Sequence, residues 1–193
     1  MARPFLIVGL PRSRTAWLAA VCNTVPNAIC YHEPVISYPS WQESLLLWRS
    51  QDREWVGIAD SGMGLHLREI LEEYHPRTVI IERDLEAVIL AMRRLGFDGD
   101  PRKYCVVLHE RLRPFRNHPL VKVMKFDELS AVGAVRSCLW HLMPGATIDG
   151  DKLAALEFLN VQADLRRVRR VIEERKADAA RLLGADVVAE LCI

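Results

Sequence analysis

The residues best placed to do chemistry stand in one short run, Gly9-Leu-Pro-Arg-Ser-Arg-Thr15. It follows the apolar segment Phe5–Gly9 and precedes Ala-Trp-Leu-Ala-Ala20. A buried strand that turns sharply into a helix leaves the first backbone N–H groups of that helix without intrahelical acceptors. The positive end of the helix dipole points the same way, so an anion is held there readily. Arg12 adds a cation, and Ser13 and Thr15 add hydroxyl donors. Compared with the nucleotide triphosphatase loop GxxxxGK[ST], Gly9 supplies the first glycine, Arg14 replaces the second, and Ala16 replaces the hydroxyl that holds Mg²⁺. A phosphate cradle without that metal ligand suits transfer of a group carrying less charge than a γ-phosphate, which a positioned arginine can stabilise.

A second set of candidates follows the run Ala28–Tyr31. His32 and Glu33 end it, and either could accept the proton of an attacking hydroxyl. Glu33 is the first choice of base, His32 the second and Asp60, after the run Trp55–Ala59, the third. The alternative is that His32 and Glu33 merely pin a turn. The other histidines show no metal-ligand spacing, and no metal is expected. Trp41, Leu45 and Trp48 share a helix face and read either as core or as the wall of an acceptor pocket.

Five apolar runs must position these groups: Phe5–Gly9, Ala28–Tyr31, Trp55–Ala59, Thr78–Ile81 and Val121–Met124. Their continuous apolar character predicts strands buried on both faces, hence a parallel sheet covered by helices. Helices are expected at Thr15 to about Asn23, Trp41–Arg49, Leu65–Tyr74, Leu85–Leu95, Lys103–Arg116 and from Asp127-Glu128 towards Met143. Beyond Gly150 the pattern is helical throughout. In a sheet of this kind ligands sit beyond the carboxyl ends of the strands, where Thr15, His32, Glu33 and Asp60 all emerge.

The loop resembles that of the P-loop sulfotransferase superfamily, which reads Pro-Arg/Lys-Ser-Gly-Thr-Thr/Ser-Trp/Leu-Leu. Pro11, Arg12, Ser13, Thr15, Trp17 and Leu18 match, and Arg14 occupies the glycine position, where a positive φ would strain it. The segment Glu82-Arg83-Asp84 with Leu85-Glu-Ala-Val is similar to the family's Arg-Asp-Pro-Arg-Asp-Val. Lys125-Phe-Asp-Glu-Leu129 is similar to its Tyr-Glu-Asp-Leu. The resemblance covers roughly residues 5–143. It implies a three-layer α/β/α, P-loop NTPase-like core over residues 1–150 of a single domain, 1–193, whose remainder, 151–193, is the helical extension read from the pattern beyond Gly150. It also implies 3′-phosphoadenosine 5′-phosphosulfate as donor, bound by Pro11, Arg12, Ser13, Arg14, Thr15 and Ala16. Arg83 inherits the grip on the 3′-phosphate, while the helix serine that assists it in the family falls on Ala91, with Arg93 or Arg94 as substitutes. The acceptor is a small molecule, a carbohydrate or a peptide, offering a hydroxyl or an amine. A small-molecule kinase or NTPase, and a nucleotide-binding relative without chemistry, are the alternatives.

Composition bounds the rest. The 193 residues suit a single domain, and a net charge of +1 favours no anionic partner for the surface as a whole. Neither a nucleic acid nor a membrane is expected as partner, and a homodimer is left open. Five scattered cysteines without CxxC spacing read as reduced, and no run is long enough to span a bilayer, so the expected place is the cytoplasm. The cluster Arg166, Arg167, Arg169, Arg170 reads as a solvated, ion-paired helix face, or else as an anion contact or a lid.

Overall fold

The computed structural model describes residues 2–157 apart from 50 and 98. Five strands form one parallel sheet: β1 (Arg3–Gly9), β2 (Ala28–His32), β3 (Trp55–Ala59), β4 (Arg77–Glu82) and β5 (Val121–Lys125), in the order β2-β3-β1-β4-β5. All five were expected from the apolar runs, within a residue or two at each end. The central strand β1 alternates its side chains between two cores. Phe5 and Ile7 face one, and Leu6 and Val8 face the other; all four are fully buried. A strand buried on both faces has no polar side to expose, hence the unbroken apolar run.

Helices cover both faces. The first core is closed by α1 (Thr15–Cys22) through Trp17, Leu18 and Val21, and by α6 (Val132–Leu142) through Val135, Cys138 and Leu139. Four other helices close the second core: α2 (Trp41–Ser44) with its 3₁₀ continuation Leu45–Trp48, α3 (Leu67–Tyr74), α4 (Leu85–Arg94) and α5 (Pro101–Leu112). The connection from β1 to β2 runs towards one edge of the sheet and carries α1 on one face. The connections from β2 to β3, β3 to β4 and β4 to β5 run the other way and carry their helices on the opposite face. Keeping one crossover handedness while the direction reverses requires this change of face. The reversal opens a crevice beyond the carboxyl end of β1.

Several expected helices are compound. Trp41–Arg49 splits into α2 and a 3₁₀ turn, Leu65–Tyr74 begins as the 3₁₀ segment Gly62–His66, and Lys103–Arg116 ends in the 3₁₀ segment Arg113–Phe115. The segment after Asp127 is a 3₁₀ turn, Phe126–Ser130, separated from α6 by Ala131. Of the expected extension, Gly150–Glu157 forms a helix, α7. The arginine cluster at 166–170 lies outside the described residues.

Candidate functional site

The loop leaves the sheet at Gly9, which pairs with Ile81 on β4. A Cβ there would stand 2.7 Å from the Ile81 carbonyl oxygen, so glycine is required for the close approach of β1 and β4. Arg12 and Arg14 then both adopt left-handed backbone, with φ of 64° and 66°. Pro11, Ser13 and Thr15 do not. Left-handed backbone at alternate residues is the pattern from which anion-binding nests are built. The glycine position of the resemblance does need a positive φ, and Arg14 supplies it under strain. The same strain at Arg12 was not foreseen. Left-handed backbone costs a non-glycine residue about 1–2 kcal/mol, and it persists where the surroundings over-determine it. Here they do. The Arg83 guanidinium donates a hydrogen bond to the Arg12 carbonyl. The Arg14 guanidinium lies over the rings of Trp17 (5.1 Å) and Phe126 (5.6 Å) and donates to Ser130 Oγ at 3.4 Å.

Arg14, the N-cap of α1, makes no side-chain capping bond, and the first turn carries no acidic residue. Ser13 is fully buried, and its hydroxyl has no hydrogen-bond partner among the described residues. A buried hydroxyl without a partner is costly, and a bound anion would satisfy it.

On the β2 side, His32 Nε2 stands 3.3 Å from Thr15 Oγ1 and 3.8 Å from Glu33 Oε1. Both contacts fall on the same ring nitrogen, so the ring does not relay a proton between them. Burial lowers the His32 pKa to about 4, leaving the ring neutral near pH 7 and a weak base. Glu33 has left-handed backbone, φ 48°, and its N–H donates to the Ala59 carbonyl at 2.9 Å. Burial raises its pKa to about 7, assisted by the charge of Asp60 and opposed by that of Arg12. A carboxyl poised near neutrality suits a general base. Asp60 is differently used. Its carboxylate accepts from the N–H groups of Gly62 (2.7 Å), Val35 (3.2 Å) and Met63 (3.3 Å), which ties the turns after β2 and β3 together. Burial holds its pKa at about 6 in spite of those bonds.

On the β4 side, Arg83 stands at the strand end, its guanidinium 4.1 Å from the centre of the Phe126 ring. Burial and the nearby charges of Arg12 and Arg14 lower its pKa, and Asp127 and Asp84 oppose them. Beside it opens a cavity of about 460 Å³, its walls including buried Leu10, Ile80 and Leu112 together with Arg83, Arg116 and Lys125. Asp84 caps α4 by accepting from the Ala87 N–H at 2.8 Å. Arg93 and Arg94 lie in the last turn of α4, at the opposite end from Arg83, and Ala91 precedes them. Glu128 folds back to accept from the Lys125 N–H at 2.9 Å, so the Asp-Glu-Leu segment is a structural junction, as expected.

The sequence thus marked the loop, the two carboxylates and Arg83, and the fold brings them to one end of the sheet. Leu45 and Trp48 are core, while Trp41 stacks on His66 at 4.9 Å. Three further residues belong to the site. Phe126 meets Arg14 and Arg83, and Ser130 meets Arg14. Tyr104 of α5 is half-buried near Asp60 and Glu33, and desolvation and their charges hold its hydroxyl protonated. No motif announces them, because each is defined by what lies across a helix or turn.

Among the described residues, no group of three His, Cys, Asp or Glu side chains is placed to hold a metal ion, and no helix is long and apolar enough to cross a membrane. The described cysteines, Cys22, Cys30, Cys105 and Cys138, are free and buried. No protein-family model matches the chain, and no curated protein matches it.

Proposed function

We propose that the chain is a P-loop sulfotransferase that moves a sulfuryl group from 3′-phosphoadenosine 5′-phosphosulfate to a hydroxyl or amine acceptor. One observation carries the reading: the strained loop Arg12–Thr15, which holds the buried, unpartnered hydroxyl of Ser13, lies between a carboxyl poised near neutrality and a cavity lined by Arg83, Arg113 and Arg116 along with Glu82, Asp84 and Asp127. The donor's 5′-phosphosulfate takes the nest, Arg83 meets the 3′-phosphate, and the cavity beyond β4 takes the nucleoside. The acceptor approaches from the β2 side. Its oxygen or nitrogen forms the new bond to sulfur as the bond from sulfur to the bridging phosphate oxygen breaks. The acceptor proton goes to Glu33, and the negative charge gathering on the leaving phosphate is met by Arg12 and the loop N–H groups. Ala16 offers no hydroxyl for Mg²⁺, and in this scheme a fixed guanidinium stands where a kinase uses the metal.

A thermal-shift comparison tests the reading against a kinase or NTPase. Adenosine 3′,5′-bisphosphate should raise the melting temperature more than ATP does, with or without Mg²⁺, and a hundredfold excess over Kd stabilises the fold by about 2.7 kcal/mol. A larger shift with ATP and Mg²⁺ would overturn the proposal. Tight bisphosphate binding with no sulfuryl transfer to any member of a broad acceptor panel would mean a binding protein rather than an enzyme.

A further inference from the structure

The three arginines of the site are gathered at some cost. Arg12 and Arg14 lie two residues apart in the loop, and Arg83 hydrogen-bonds the Arg12 carbonyl. Their mutual repulsion shows in Arg83, whose guanidinium loses affinity for its proton through burial and through the charges of Arg12 and Arg14. Left to themselves, long cationic side chains spread into solvent, and an anion arriving would have to collect them at an entropic cost. Something must hold them together before it comes.

The 3₁₀ turn Phe126–Ser130, which follows β5, is what they rest on. The Phe126 ring has the Arg83 guanidinium 4.1 Å from its centre and the Arg14 guanidinium 5.6 Å away. Ser130, at the far end of the same turn, accepts from Arg14 Nη1 at 3.4 Å. Asp127, next to Phe126, favours the charged form of Arg83. An aromatic face carries partial negative charge, attracts guanidinium groups, and leaves their N–H edges directed outward. A carboxylate in its place would neutralise the arginines and compete with the ligand; a neutral ring does neither.

We propose that Phe126 is a positioning residue: its ring is a shared platform that holds Arg14 and Arg83 together and pre-organises the nest and the β4 strand end to receive a ligand with two phosphate-type anions. The assignment rests on the anion-binding reading above. It adds that the organiser comes from the turn after β5, neither from the loop nor from the β4 end. Phe126 need not touch the reacting atoms, and its influence runs through two guanidinium groups and, through Arg83, through the left-handed carbonyl of Arg12.

Two measurements test it on the full chain. In the ligand-free protein, side-chain NMR should show the guanidinium Nε protons of Arg83 and Arg14 shifted by the ring current of Phe126, more strongly for Arg83. Phe126→Leu should abolish both shifts, and Phe126→Tyr should keep them. Calorimetric titration with adenosine 3′,5′-bisphosphate should then show about tenfold weaker binding in Phe126→Leu and near-normal binding in Phe126→Tyr. Titration with inorganic sulfate, which needs the nest alone, should weaken less. Phe126→Met serves in the same role should Phe126→Leu fail to fold. Absence of a ring-current shift in the unsubstituted protein overturns the platform whatever binds. Unchanged bisphosphate affinity in Phe126→Leu or Phe126→Met overturns it too, as does equal weakening in Phe126→Tyr. Ring-current shifts present in a protein that binds neither anion would support the platform and sink the anion-binding reading instead.

Discussion

Replacing Glu33 by glutamine should stabilise the fold above neutral pH and leave it unchanged in acid. Burial lifts the Glu33 pKa from an ordinary 4.5 to about 7. The folded state therefore binds this proton more tightly than the unfolded chain does. The stability associated with the group is present in full below about pH 4.5 and is lost as pH rises through about 7. At ~1.4 kcal/mol per pH unit, that span corresponds to about 3 kcal/mol. The side chain is 27% exposed, so solvent screens part of it and about 2 kcal/mol is the better figure. Glutamine keeps the shape and carries no charge to desolvate. His32, with its pKa lowered to about 4, has the opposite dependence: its contribution is present above about 6.5 and lost as pH falls through about 4. It is common to both proteins and cancels in the difference. In a chain of this length 1 kcal/mol moves the melting temperature by about 2–4 °C. Thermal melts of Glu33→Gln and the parent protein should differ by about 4–8 °C at pH 8 and coincide at pH 4. The same variant should lose about 10²–10⁴-fold in turnover. A stabilised but inactive protein identifies a group kept for chemistry at the expense of stability. A gap independent of pH, or a Glu33→Gln protein less stable at pH 8, would refute the argument and make Glu33 a structural residue of the turn.

Other expectations follow from the same geometry. Arg12→Ala should lower kcat about 10²–10³-fold, because its guanidinium meets charge that grows during transfer. Arg83→Ala should act chiefly on KM for the donor, with a smaller fall in kcat because the Arg12 carbonyl loses its anchor; a pure KM effect for Arg12→Ala would reverse these roles. Ser13→Ala should weaken sulfate and bisphosphate binding in calorimetry while leaving the melting temperature of the free protein unchanged or slightly higher, since it removes a buried hydroxyl with no partner. Loss of stability without loss of anion affinity would show that Ser13 serves the fold alone. Gly9→Ala should destabilise by about 1–3 kcal/mol in denaturant unfolding, because its Cβ meets backbone of β4 rather than a yielding side chain; a neutral result would mean that β1 and β4 can separate.

Much of the architecture was legible in the sequence because its signals are local. A parallel strand buried on both faces is a short run of apolar, often β-branched residues, and Phe5–Gly9 and Trp55–Ala59 could hardly be anything else. The anion loop was legible for the same reason. A strand, a polar turn and a helix start stand in direct succession, and the mismatch of Arg14 with a glycine position correctly pointed to left-handed backbone. What sequence did not decide depends on contacts between segments. The strand order follows from which face each crossover takes, and no single strand encodes that. The switch from α to 3₁₀ at Leu45–Trp48, Gly62–His66 and Arg113–Phe115 changes only which carbonyl each N–H selects, and the apolar pattern is nearly the same for both. The left-handed φ of Arg12 has no local signature, since it is held by an arginine 71 positions away. Asp60 could not be separated from Glu33 as a base until its carboxylate was seen holding three N–H groups. Phe126 and Tyr104 are, in sequence, ordinary members of a turn and a helix. They acquire meaning only when the sheet brings β5 beside β4 and α5 over the ends of β2 and β3, because a charge is stabilised or raised by what surrounds it in space and not by its neighbours in the chain.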